Sequence, residues 1–440
     1  MKIKGVLMVF VMVMLIVVSF VPASAAEKPK DEINVILYGA PSADAIIALL
    51  PSFEEETGIK VNIEITPHKE IHSKELLDLT SGTANYDVMS MDNPWLQEFV
   101  GTGNLLPFTK YIEKEDPEFI KGFIQNIYKS YGEYEGKIYA YPYQIGVQVL
   151  FYREDLFKQF SGEYEKQYGY PLEVPVTFEE YAQIAKFFTK QYNPQVPTTY
   201  GVGMAAYRGG PALAEYCMRL WAMGGREFDE AWNVQFNDNI GVKALENIIE
   251  TGKCAPPGYY TMYFDEMSKQ YMSGNTAMII QWDAFAGEIF DKTKSQVADK
   301  TGVAIVPGTQ AMLGGWALVI NKNSDNPDAA YEFVRWVNSP GLAKKFVLIG
   351  GLPGRVSVFE DPELLAKFPY LPVALKGYET ARKRTTPYLG GPAIAELEEY
   401  QEILGAAVNE ALAGQKSPQE ALDQAKIDIT KMMERAGYYD

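Results

Sequence analysis

The 440-residue sequence predicts an α/β fold in two lobes built on mainly parallel sheets. Three observations carry that expectation. Strand-period and helix-period stretches alternate from residue 33, the alternation returns after residue 200, and nothing between the two resembles a flexible linker. The length accommodates two or three ordinary domains and a substantial core.

In chain order, 33–38 (INVILY) reads as a strand, and apolar residues at Ile46, Ile47, Leu50 and Phe53 continue it as a helix. Thr57-Gly58 stops that helix, because glycine suits the left-handed position after a C-terminus. Residues 60–65 alternate apolar and polar as a second strand, Pro67 opens a helix to about Ser81, and 86–91 is a third short strand. Strands recur at 200–204, 276–281, 301–306 and 316–320, with helices at 211–223, 240–251 and 327–337. The last stretch, 394–434, reads as two helices split at 414–418, and irregular Pro/Gly-rich pieces lie at 351–355 and 385–392. Strands that alternate with helices pair in parallel, and ligands then sit beyond the carboxyl ends of the strands. The positions to inspect are therefore Tyr38-Gly39-Ala40, Thr66-Pro67-His68 and Asp92-Asn93-Pro94-Trp95.

Composition narrows the function. With 57 Asp plus Glu against 40 Lys plus Arg, the surface repels phosphate backbones, so no nucleic-acid partner is expected. Residues 1–26 read as a signal peptide: Lys2 and Lys4, an apolar stretch from Gly5 to Phe20, then Ala23-Ser24-Ala25 as an A-x-A cleavage site. An uncleaved membrane anchor is the alternative. Cys217 and Cys254 are too few for a disulfide scaffold, and two separate buried thiols are the simpler expectation.

Catalytic signatures are scarce. His68 and His72, the only histidines, could share a helix face, but Glu70 is misplaced for H-E-x-x-H and no cysteine lies near. A solvated helix with two imidazoles is expected there, and neither a metal nor a cofactor. Arg382-Lys383-Arg384 reads as a solvated helical face. What stands out is a set of aromatics at strand ends, each beside a polar group or glycine: Trp95 with Asp92 and Asn93, Tyr143 with Gln144, Tyr207 with Arg208, Trp282 with Asp283, and Trp316 after Gly314-Gly315. Any one of them could be a core residue. Together they suit a sugar, whose C–H faces favour flat rings and whose hydroxyls need directional partners.

Several stretches, taken in order, resemble the maltose-binding-protein-like family of extracellular solute-binding proteins of carbohydrate ABC transporters. They are FEEETGIKVNIE (53–64), YDVMSMDNPW (86–95), GKIYAYPYQIGVQVLFYREDLF (136–157), VPVTFEEYAQIA (174–185, with Phe178 for the usual Trp), SGNTAMIIQWDAF (273–285), GGWALVINKNSDNPDAAYEFVRWVNSP (314–340) and GGLPGRVSV (350–358). The resemblance implies a periplasmic-binding-protein-like fold with the ligand cleft between the lobes. The first lobe would take 27–143 and a return segment 304–340, the second 147–300 and a helical part 345–440, with crossings near 143–147, 300–306 and 340–345. It implies a monomeric sugar receptor, exported to the periplasm or the outer face of the membrane, that delivers a carbohydrate ligand to ABC transporter permease subunits. By position, Gly39, Asp92, Asn93 and Trp95 would contact ligand from the first lobe, Tyr143 and Gln144 from the hinge, and Tyr207, Trp282 and Asp283 from the second lobe. Gly315, Trp316 and Arg355 would lie on segments returning to the cleft. Gly146 stands where some maltooligosaccharide binders carry an acidic contact, which speaks against a long maltodextrin. The rival class is a secreted glycoside hydrolase using Asp92 and Asp283 as its carboxylate pair.

Overall fold

Strand β1 (Glu32–Tyr38) and strand β2 (Lys60–Thr66) lie parallel, with Glu32 opposite Lys60 and Tyr38 opposite Thr66. The computed structural model that shows this describes residues 32–383 and 394–439, so the signal peptide, Arg384 and the piece at 385–392 lie outside the described residues. Helix Pro41–Thr57 joins the two strands. A proline sits in its first turn, where a missing N–H leaves no bond unmade, and it ends at Gly58 with φ 74°. Helix His68–Ser81 leads into β3 (Val88–Asp92), which pairs parallel with β1 and is buried along its whole length.

A two-residue hairpin, β4 (Glu133–Tyr134) and β5 (Lys137–Ile138), precedes β6 (Ala140–Arg153). This 14-residue strand joins the lobes. Its first half, as far as Val147, pairs antiparallel with β10 (Leu313–Ile320); from Gln148 onward it pairs antiparallel with β8 (Thr276–Trp282) and β9 (Thr301–Ile305). Strand β7 (Tyr200–Gly203) runs parallel to β8. The strand order is therefore β2-β1-β3-β10-β6-β8-β7, with β9 also on β6. Parallel pairs form where helices cross over; antiparallel pairs enter where β6 and β10 pass between the lobes. Burial on both faces explains why β6 reads as a nearly unbroken apolar run.

One crossing falls within its expected range of 300–306, and the one expected near 340–345 falls later. Thr301 to Ile305 pair with the second-lobe half of β6, so the return to the first lobe follows Ile305. Helix Pro340–Ile349 packs on Pro41–Thr57 in the first lobe, burying Leu342, Ala343, Phe346 and Val347. Helix Leu371–Thr380 reaches the hinge, lying on β6 and β9, where a Cβ on Gly377 would meet Val147 at 3.3 Å. Periodicity reveals that a helix has an apolar face, but not which surface that face meets. Helices Leu397–Leu412 and Pro418–Arg435 complete the second lobe, the latter started by a reciprocal Ser417–Glu420 capping box. Among the described residues no helix is long and apolar enough to cross a membrane. Cys217 and Cys254 are both buried and are not joined in a disulfide.

Candidate functional site

The carboxyl ends of β1 and β3 meet the start of β10. In the sheet register Trp316 stands opposite Asp92 on one side and Gln144 on the other. The Trp316 ring stacks on Tyr38 at 4.3 Å and 15° and meets Trp95 edge to face at 5.3 Å. His68 approaches Tyr38 at 5.6 Å and Trp316 at 5.7 Å, both edge to face. Trp95 is placed by a 3₁₀ turn, Asn93–Trp95, in which Pro94 follows the end of β3. Gly39 packs so closely against the end of β2 that a Cβ there would meet Ile65 at 3.2 Å. At Gly315, φ is 109° and a Cβ would collide with the Gln144 carbonyl at 2.4 Å, so only glycine fits beside Trp316.

The second lobe repeats the device. Strand β8 ends in Trp282 and turns through the 3₁₀ segment Asp283–Phe285. The half-buried Trp282 ring lies against Gly314, where a Cβ would come within 2.7 Å of it, and meets Phe264 edge to face at 5.9 Å. Gln281 anchors this strand end: its amide donates to the Phe264 carbonyl (2.8 Å) and Ser268 Oγ (2.7 Å), and accepts the Trp282 N–H (2.8 Å). Tyr207, 46% exposed, touches Tyr263 at 6.3 Å. Tyr263 and Asp265 face Tyr38 from this side: burial, then Tyr263, Asp92 and Asp265, push the Tyr38 phenol up to about 12. A hydrogen bond crosses between the lobes from Trp95 Nε1 to Glu398 Oε1 at 2.8 Å.

Between the two faces lie buried side-chain amide atoms without chain partners, namely both polar atoms of Asn93, Gln144 Oε1 and Gln148 Oε1, while Gln144 Nε2 donates to the Ile145 carbonyl at 3.3 Å. A buried polar atom left unpaired costs about 1–3 kcal/mol. Asn93 continues from Asp92 and Gln148 stands opposite Trp282, so these amides run along the seam where the lobes meet.

The structure brings Gly39, Asp92, Asn93, Trp95, Gln144, Trp282, Gly315 and Trp316 to this seam, with Tyr207 at its open edge. Three expected ligand residues lie elsewhere. Tyr143 is fully buried inside the first lobe, its hydroxyl 2.8 Å from Ser90 Oγ, because alternation along β6 turns it away from the seam. Arg355 is 1% exposed, with its guanidinium 3.8 Å from the Phe123 ring centre and 4.2 Å from that of Phe119, and it donates to the carbonyls of Asn338 and Phe119. Asp283 is fully buried; its carboxylate accepts the Val147 N–H at 3.1 Å and the Tyr378 hydroxyl. Arg355→Ala is accordingly expected to cost about 3–5 kcal/mol of stability in denaturant melts while ligand affinity of the folded protein stays unchanged.

On the histidine helix His68 is exposed, as expected, whereas His72 is partly buried. His72 packs on Trp95 at 4.7 Å, with its Nε2 2.7 Å from Glu98, and His68 joins the Tyr38–Trp316 stack. Arg382 is 6% exposed and lies over the Trp221 ring at 4.8 Å, not on a solvated helix. Sequence reasoning missed Gln148, Tyr263, Asp265 and Glu398. Only Gln148 left a signal, a lone amide within the apolar run VQVLFY.

Two lobes hinged on shared strands, with aromatic faces and unpaired amides along the seam, define a binding protein that closes around a small ligand. Residues 39–344 match the family described as bacterial extracellular solute-binding proteins, and the chain belongs to it. It is 28% identical over 426 residues, 96% of this chain and 94% of the relative, to a probable amino-acid ABC transporter periplasmic-binding protein of Sinorhizobium fredii. It is 29% identical over 324 residues to the mannitol-binding protein of Pseudomonas aeruginosa, covering 69% of this chain and 71% of that one. Among solved structures it is similar to an ABC transporter solute-binding protein from Agrobacterium radiobacter in complex with ribitol, with 29% identity, TM-score 0.79, and coverage of 92% of this chain and 100% of that chain.

Proposed function

We propose that this protein is the capture component of an ABC importer for a neutral polyhydroxylated ligand, a sugar, short oligosaccharide or polyol. In this reading the ligand is held between the lobes and handed to a membrane permease. The observation that carries it is the aromatic cluster of Tyr38, Trp95 and Trp316 beside the unpaired amide of Asn93 and the unpaired side-chain oxygens of Gln144 and Gln148. Ring faces suit C–H surfaces. Buried amides, each able to donate and accept, suit hydroxyls, and their desolvation is offset only by a ligand that does both. The mannitol and ribitol relatives support the same ligand class.

An amino-acid ligand is the second reading, favoured by the name of the Sinorhizobium relative. Against it, the charged groups near Tyr38 and Trp95 are Asp92 on the same lobe and Asp265 and Glu398 across the seam, carboxylates that repel an amino acid's own. The hydrolase reading is weakened because the Asp283 carboxylate already holds Val147 and Tyr378.

The test is intrinsic Trp fluorescence of residues 27–440, titrated with monosaccharides, disaccharides, polyols and amino acids while the same samples are assayed for product. A saturable change with a sugar or polyol and no product is the expected result. Saturation by an amino acid alone, or turnover, would overturn the proposal.

A further inference from the structure

The Trp95–Glu398 hydrogen bond joins two elements that share no lobe. Trp95 belongs to the turn after β3. Glu398 stands in the first turn of helix Leu397–Leu412, which packs on Gly210–Ala222 and Pro418–Arg435 of the second lobe. The indole cannot swing to follow a departing partner. It is 1% exposed and wedged by Trp316 at 5.3 Å, His72 at 4.7 Å and Phe99 at 5.9 Å, so the first lobe alone fixes the direction of its N–H. Glu398 is oriented from its own side, where Gln401 Nε2 donates to the same Oε1 at 3.3 Å. A fixed donor on one lobe and a fixed acceptor on the other meet at one interlobe distance only.

We infer that Trp95 and Glu398 form a latch that exists only when the lobes are closed, and that His72, packed on Trp95 and paired with Glu98, makes the latch sensitive to protons. The inference deepens the capture reading and rests on it only for the choice of probe ligand.

The charged groups acting on His72 come from every element around it: Glu98 from helix Leu96–Gly101, Glu398 from the second lobe and Asp92 from the end of β3, all carboxylates. Burial disfavours the imidazolium, but the Glu98 hydrogen bond and these three charges outweigh it and raise His72 above the ordinary imidazole value. Glu98 and Asp92 share a lobe with His72 and act whether the lobes are open or closed. Glu398 adds its charge only on closure, so closing raises the proton affinity of His72 further. By linkage, protons favour the closed form: the stabilisation is present while His72 is charged and is lost as pH rises through its closed-form titration.

The experiment is a single-molecule FRET measurement of lobe separation on residues 27–440. It would use one dye on each lobe, with and without saturating ribitol, from pH 5.5 to 8.5. The ligand-free closed-to-open ratio of the wild type is expected to rise about two- to five-fold as pH falls across that range, the scale of a partly exposed ion pair. Glu398→Ala should lower that ratio about ten-fold at pH 8.5 and further at pH 5.5, because it removes the charge felt by His72 as well as the hydrogen-bond acceptor. Glu398→Gln, which keeps the acceptor, and His72→Gln should each flatten the pH response. An unchanged ratio in Glu398→Ala, or a wild-type pH profile in His72→Gln, would overturn the latch. If the ligand-free variants behave as expected while ribitol and the wider panel leave the wild type unmoved, the latch stands and the polyol reading fails.

Discussion

Replacing Trp282 by alanine is expected to weaken ligand binding about 100-fold, near 2.7 kcal/mol, while unfolding remains a single cooperative transition. The ring is half-buried, with one edge against the Gly314 backbone and another against Phe264. A fully buried tryptophan costs about 3–5 kcal/mol when cut to alanine; a half-buried one resting on bare backbone should cost about 1–2 kcal/mol. Affinity therefore falls further than stability. The check is isothermal titration with the best ligand of the panel, beside urea melts of the same variant. Wild-type affinity together with a large stability loss would return Trp282 to a purely structural place.

The next residue is expected to behave in the opposite way. Asp283→Ala should destabilise the protein by about 2–4 kcal/mol, because it strands the Val147 N–H and the Tyr378 hydroxyl in the hinge. Val147 is where β6 changes partner from β10 to β8, so the carboxylate pins the backbone at the point about which the lobes move. Burial is the largest influence on Asp283 and raises it to about 7; the hydrogen bonds from Tyr378, Val147 and Ala284 pull the other way. An unfolded aspartate titrates near 3.9. Between about pH 4 and 7 the folded protein thus keeps a proton that the unfolded chain has released. Stability contributed by this group falls as pH rises through that window, by up to about 1.4 kcal/mol per unit, and is level above it. Asp283→Asn removes the titration, so the stability of that variant relative to wild type should climb from pH 5 to pH 8 in urea melts. A difference that stays constant with pH would mean that Asp283 is ionised throughout.

These neighbours show how far local sequence could be read. Gln281, Trp282 and Asp283 were recognisable as an unusual polar end to an apolar strand, and that end is where β8 stops. Nothing in the string distinguished the indole at the seam from the carboxylate turned into the hinge, since Val147 and Tyr378 lie 136 and 95 residues away. The same limit misplaced Tyr143 and Arg355. Each stands in a stretch of the right kind, but a one-residue change of face along a strand, or two phenylalanines from residues 119 and 123, decided where the side chain went.

By itself the sequence determined the alternation of strands and helices, the glycine stops, the acidic balance and the strand-end aromatics, because these depend on backbone periodicity, left-handed φ and residue chemistry within a few positions. Only the tertiary structure decided which strand ends share a seam, where the crossings fall, and that Glu398 meets Trp95 across 303 residues. Such pairings are set by packing between elements distant in the chain, and no local pattern encodes the surface that an element will find.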